Sequence, residues 1–290
     1  MIEARSITKF FSVVNEKGLA EGLTAVLNVS LTIPDGKIFS LLGPSGCGKS
    51  TFLEILAGLQ APTDGEIRID GSRVLEPLPS TRKEMEAYKR RYRFISPVAN
   101  GVFRDHPKHD IAMIFQDYAV FPWMTAIQNV NFALKLHKIP RAQRNERARF
   151  FLNRVGLAGV EHKYPSQLSG GMRQRLALAR ALSVEPKIIL MDEPFAAVDA
   201  LTRERLQDDL LKIWGETGVI IVMVTHDAPE AVYLSDEVVI FSPGPGTIRN
   251  RISIDIPRPR RRSDPEIIEI QDRIFAMLQY DLDQESEYSI

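Results

Sequence analysis

The segment GPSGCGKS, residues 43–50, constrains this chain more than any other. It follows KIFSLL (37–42), an apolar run suited to a strand covered on both faces, and it precedes the apolar helical segment TFLEILAGL. A strand that turns through a glycine-rich loop into a helix start gathers unpaired N–H groups and the positive end of a dipole at one point. In that context the pattern G-x-x-x-x-G-K-[ST] predicts a phosphate cradle. Gly43, Pro44, Ser45, Gly46, Cys47 and Gly48 let the backbone wrap the anion. Lys49 reaches the outer phosphates, the Ser50 hydroxyl binds Mg²⁺, and Thr51 completes the nucleotide-binding stretch. Cys47 is the sole cysteine, so no internal disulfide is possible, and inside the loop it contributes its backbone N–H.

The rest of the chain alternates strands and helices. LNVSLTI (27–33) places Leu27, Val29, Leu31 and Ile33 on one face, and GEIRID (65–70) repeats the pattern. From about residue 123 to 183 the pattern is helical. KIILMDE (187–193), the helix-like LTRERLQDDLLKIW (201–214) and VIIVMVT (219–225) follow, with Leu206, Leu210 and Trp214 on one helix face. Strand, helix and strand again predict right-handed parallel βαβ units. Residues 238–256 read as a hairpin around Pro243–Gly246. Two segments stand outside this plan. Residues 72–109 include RKEMEAYKRRYRF (82–94), a charged helix with six basic and two acidic residues. Residues 257–290 begin with PRPRRR and continue as a helix, with a capping box from Ser263 and Glu266 and with Pro265 at an early helical position.

Composition narrows the function classes. With 290 residues, 44% hydrophobic and 26% charged, the chain can bury a substantial core. Its net charge of zero gives no support for bulk nucleic-acid binding. MIEARSITKF lacks the apolar core of a signal peptide. The longest apolar run, VIIVMV (219–224), is far below the roughly 18–20 residues that cross a bilayer. If the protein works at a membrane, another chain supplies the spanning part.

Three further motifs carry chemistry. KIILMDEP (187–194) puts Asp192 and Glu193 at the end of a buried strand: Asp192 to hold Mg²⁺ through water, Glu193 to polarise an attacking water. His226 follows the strand VIIVMVT, where strand ends face a ligand, and can sense the terminal phosphate. YPSQLSGGMRQR (164–175) holds a second anion-seeking helix start, Ser169, Gly170 and Gly171, distant from the first.

With LSGGM at 168–172, this set closely resembles the ATP-binding-cassette ATPases over roughly residues 1–255. The resemblance implies an α/β phosphate-loop ATPase with a RecA-like parallel-sheet core, an N-terminal antiparallel β subdomain and an inserted helical subdomain. It places the ATPase domain at 1–256, the helical subdomain at about 117–183, an extra insertion at about 72–109 and a C-terminal helical extension at 257–290. Gln116 matches the glutamine that contacts Mg²⁺ and the water and links to the membrane partner. Phe11 matches the aromatic that stacks on adenine, with Phe10 as the alternative. Asp199 matches the aspartate of the loop after the catalytic strand, while Ala196 stands where the family carries serine.

The family works as a head-to-tail dimer, so Ser169, Gly170 and Gly171 of one chain would close on ATP held by the other. GPSGCGKST, FQDYAVFPWMT and IPRPRRRSDPEII are similar to the nitrate/sulfonate/taurine/bicarbonate importer ATPases. This implies two permease subunits, an indirect solute-binding protein, a peripheral place on the cytoplasmic face of the inner membrane, and no nucleic acid. An exporter or lipid-transporter ATPase, or a soluble relative acting on nucleic acid, stays open as an alternative. Residues 119–124 (AVFPWM) read as core or as a groove for a short helix of the membrane partner. The charged helix at 82–94 reads as a solvated face or a partner contact. Arg258, Arg260, Arg261 and Arg262 read as a solvated run, or as worth about 1 kcal/mol each toward an anionic leaflet.

Overall fold

The computed structural model describes residues 1–14, 20–75, 111–196 and 198–287. Along the chain run β1 (Ile2–Val14), β2 (Ala20–Ile33), β3 (Ile38–Leu42), α1 (Lys49–Leu56), β4 (Asp64–Ile69) and β5 (Ser72–Leu75). Next come β6 (Ile111–Ile114), α2 (Ala126–Leu136), α3 (Arg141–Arg154), α4 (Gly170–Leu182), β7 (Ile188–Asp192) and α5 (Ala200–Thr217). The last elements are β8 (Ile220–Thr225), α6 (Ala228–Leu234), β9 (Glu237–Phe241), β10 (Ile248–Ser253) and α7 (Pro265–Glu287). The chain forms two compact units, Met1–Lys108 with Val224–Ile290, and His109–Met223.

In the first unit an antiparallel sheet has the order β2-β1-β4-β5. Alternation buries Ile2 and Ala4 of β1 against Ile33 and Leu31 of β2, and an extra residue in β1 around Ser6, φ 49°, brings Ile7 onto the same face against Val29. Leu27 departs from the expected face. Ile7 pairs with Val29 but Lys9 pairs with Val26, so β2 carries one extra residue there. Asn28 takes a left-handed φ of 51°, Val26 turns inward, and Leu27 is left 41% exposed. A bulge of this kind exchanges the faces of a strand. The first four residues of the segment 72–109 form β5. RKEMEAYKRRYRF lies outside the described residues.

The same unit holds β3, buried throughout and parallel to β9, with β10 antiparallel on the other side of β9. The expected hairpin is therefore present, with its turn at Pro243–Gly246. Leu42, Val238, Ile240, Ile252 and Ile254 make a core with Ala228, Ala231 and Val232 of α6 and with Ile267 and Ile274 of α7. α7 begins at Pro265, one residue later than a Ser263 cap requires. Asp264 accepts the Arg261 N–H instead, at 3.2 Å, and its carbonyl takes the Ile268 N–H. The basic run is not solvated. Arg260 is 4% exposed, Arg258 is half-buried, and Arg262 lies 3.7 Å over the Tyr233 ring; of the four, Arg261 is exposed.

In the second unit β8, β7 and β6 lie in that order, with β6 and β7 parallel. Leu206, Leu210 and Ile213 are the buried stripe of α5. Helices α2, α3 and α4 pack on one another, forming the helical segment expected from about 123 to 183. A capping box starts α2, with Thr125 and Gln128 bonding each other's backbone. Among the described residues no helix is long and apolar enough to cross a membrane.

Candidate functional site

The phosphate loop leaves the buried end of β3 and enters α1, whose N-cap is Gly48 with φ 94°. A Cβ there would lie 2.1 Å from the Ala25 carbonyl oxygen, so only glycine fits both the φ and the approach. Lys49 is 5% exposed and arches over the loop, donating to the carbonyls of Gly43 at 2.8 Å and Pro44 at 2.6 Å. Its Nζ also lies 3.4 Å from the buried Cys47 thiol, a contact beyond the backbone role expected of Cys47. Ser45, Gly46 and Ser50 are exposed, and a Cβ at Gly46 would meet nothing within 4 Å. The loop tip at Ser45 and Gly46, and Ser50 in the first turn of α1, are thus open to an approaching anion.

Sequence reasoning missed the support behind this loop. The Gly246 N–H donates to Ala25 O at 3.1 Å and its carbonyl accepts from Leu27 at 2.9 Å. A Cβ on Gly246 would lie 2.0 Å from Cys47 O. The β9–β10 hairpin therefore backs the loop directly, and the signal was the glycine-proline tip PGPG.

Phe11 is half-buried, with the Lys9 ammonium 4.9 Å from its ring centre, while Phe10 is 47% exposed and covers Gly22. His226 is exposed between two fixed neighbours. Thr225 Oγ1 accepts the Asp227 N–H at 3.1 Å, and Asp227 caps α6 by accepting the Glu230 N–H at 2.9 Å.

The second unit carries the remaining predicted residues. Ile114 pairs with Met191 in parallel register, so Gln116 and the pair Asp192–Glu193 leave adjacent strand ends on one edge. Glu193 has φ 44°. Holding a glutamate there costs about 1–3 kcal/mol, the kind of strain found at working sites. Ser169 caps α4, its Oγ accepting the Met172 N–H at 3.3 Å. Gly171 abuts α5: a Cβ there would lie 2.7 Å from the Thr202 methyl. Asp199 caps α5 by accepting the Thr202 N–H at 3.1 Å. The Thr202 hydroxyl first, and then its N–H, hold the Asp199 carboxyl below the ordinary range. Gly171 and Asp199 thus meet at one residue, Thr202.

Gln116 is exposed and leads into two left-handed residues, Tyr118 (φ 63°) and Ala119 (φ 43°). Arg180, near the end of α4, donates to the carbonyls of both, at 3.1 and 2.6 Å, and lies 5.5 Å over the Phe121 ring. Burial lowers its pKa, with Asp117 opposing. Asn129 is fully buried and donates to the carbonyls of Phe121, Met124 and Thr125. These two anchors were invisible in sequence because their acceptors are backbone carbonyls. The core reading of 119–124 fails at Trp123, which is 69% exposed beside a depression also lined by Met124, Phe132 and Arg144.

The loop, the strand ends and the glycine-led helices are those of a phosphate-loop ATPase. The sequence profile of the ABC transporter family matches residues 26–196. The chain belongs to that family: it is an ATP-binding-cassette ATPase, with the α/β fold expected from the sequence. It is 40% identical to the taurine import ATP-binding protein of Yersinia pestis over 256 residues, covering 86% of this chain and 89% of that protein. It is 37% identical to the nitrate import ATP-binding protein of Synechocystis sp. over 279 residues, covering 93% and 94%. A solved dimeric ATP-binding cassette in a post-hydrolysis state, bound to ADP and Pi, matches with a TM-score of 0.69 at 31% identity. It covers 89% of this chain and 100% of that one.

Proposed function

We propose that the chain is the ATP-hydrolysing subunit of an importer for a small anionic solute. It sits peripherally on the cytoplasmic face of the inner membrane and couples to two permease subunits fed by a solute-binding protein. The observation that carries this reading is the likeness to taurine and nitrate import ATPases over nearly the whole chain.

The loop 43–51 holds the phosphates of ATP and Phe11 stacks on the adenine. Ser169, Gly170 and Gly171 meet ATP bound to a second ATPase subunit, with Asp199 beside them, so nucleotide joins the pair head to tail. The exposure of Ser169 at the cap of α4 supports this, since a helix start attracts an anion. Glu193 takes a proton from the attacking water, Lys49 balances charge on the transferring phosphoryl group, and His226 reads the terminal phosphate. Gln116 orients the water and signals to the permease, which docks in the depression beside Trp123. The hydroxyl of Ser50, the amide oxygen of Gln116 and the carboxylate of Asp192 are hard oxygen donors that fit Mg²⁺. Mg²⁺ held by them would supply neutralisation of the phosphate charge.

The test is to isolate the assembled complex in vesicles and add binding protein loaded with taurine, nitrate or bicarbonate. One of these solutes is expected to stimulate ATP hydrolysis and to enter from the binding-protein side. Outward movement of solute would refute import, and solute-independent hydrolysis without transport would refute the transport role.

A further inference from the structure

The run IPRPRRR contains four arginines, and three of them grip one short helix. Arg260 makes five hydrogen bonds, all to backbone carbonyls. Nη1 donates to Val232 at 2.9 Å, Tyr233 at 3.1 Å and Ser235 at 2.6 Å; Nε donates to Ile256 at 3.0 Å and Nη2 to Ile254 at 3.0 Å. Arg258 takes the remaining carbonyl of that turn, Leu234, at 2.5 Å, and binds Asp236 at 2.7 Å. Arg262 stacks on the Tyr233 ring. The last carbonyls of α6, which a helix end leaves without intrahelical partners, are all met by guanidinium groups. The positive charge also lies at the negative end of the helix. Burial pushes Arg260 down to about 10, so it stays charged at neutral pH.

What α6 carries at its other end gives this clamp a function. The helix is seven residues long, and Asp227 caps it one residue after His226. Ala228, Ala231, Val232 and Leu234 are fully buried, and Ile267 and Ile274 of α7 lie in the same core. A short rigid rod held at its C-terminal end fixes where its N-terminal end sits. We infer that Arg260 is a positioning residue for ATP hydrolysis: it fixes α6 so that His226 is presented to the terminal phosphate. This rests on the role proposed for His226.

Steady-state hydrolysis by the full-length chain tests it. Arg260→Gln is expected to lower kcat about tenfold or more while KM for ATP changes less than about twofold. Arg260→Lys, a point charge with three donors, should recover part of the loss. His226→Ala is the reference. In the double variant, kcat should match His226→Ala alone within about twofold, since a misplaced histidine and a missing one are equivalent. Wild-type turnover in Arg260→Gln beside a dead His226→Ala overturns the clamp alone, as does a double variant that loses the product of both effects. Wild-type turnover in His226→Ala instead removes the histidine reading itself. Should Arg260→Gln fail to fold, Arg258→Gln, which releases Leu234 and Asp236, runs the same cycle with the same deciding outcomes.

Discussion

Two glycine-bearing helix starts, the phosphate loop and the segment LSGGM, solve the same electrostatic problem in opposite ways. The phosphate loop is backed by its own chain while Ser45, Gly46 and Ser50 stay exposed. Its N-cap Gly48 is left-handed, Lys49 is buried across the loop carbonyls, and Gly246 presses against it from behind. The LSGGM start is capped by Ser169, the one exposed residue of the five, while Gly171 is buried, and its tight neighbour is a side-chain methyl on Thr202 rather than backbone. The first is shaped to hold an anion without help. In the proposed function the second approaches an anion held by another chain.

This division fails if binding and turnover cannot be separated. Glu193→Gln should give the largest effect: hydrolysis falls by about 10²–10⁴ while ATP binding, measured by titration, is retained. Equal loss of both would remove the base assignment. Gly48→Ala comes next, because the added methyl meets a carbonyl oxygen that cannot move away. About 1–3 kcal/mol of strain predicts ATP affinity weakened by about 5–150-fold, and unchanged affinity would contradict the tight backing of the loop. Gly171→Ala should lower stability by about 1–3 kcal/mol through overpacking. Adding Thr202→Ser, which removes the offending methyl, should restore most of that in denaturant unfolding, and no recovery would mean that the packing reading is wrong.

The smallest effect lies at the start of β3, the end away from the phosphate loop. Asp236 accepts the Ile38 N–H at 2.9 Å and pairs with Arg258, bracing β3. Burial alone would raise its pKa, but the hydrogen bonds from Arg258 and Ile38 bring it below the ordinary value. A depressed carboxyl stabilises the fold above its unfolded pKa, about 3.9, and that stability is lost as pH falls through the lower folded value. Stability of Asp236→Asn should therefore fall less steeply below about pH 4 than that of the natural chain. Parallel pH profiles would contradict the brace.

What was legible in the sequence was contiguous. GPSGCGKS, KIILMDEP and LSGGM each carry their chemistry within a few residues, and the strand and helix periods around them read correctly. What was not legible depends on partners far along the chain. One extra residue in β2 turns Leu27 outward, and neither strand's alternation betrays it. Arg260 reads as solvated because its five acceptors are carbonyls of residues 232–256, which have no side-chain signature. Arg180 and Asn129 escape for the same reason. Ser263 looked like a cap because Ser-x-x-Glu is a local pattern, while Asp264, drawn back to the Arg261 N–H, sets the real start of α7.

The central claim is that ATP joins two copies of the chain through Ser169–Gly171. Sedimentation of the Glu193→Gln protein, with and without ATP, measures it directly. Two chains' mass with ATP, one chain's mass with ADP, and one chain's mass with ATP once Ser169→Arg is added are the expected results. A single chain's mass with ATP, or a pair that survives Ser169→Arg, would contradict the account.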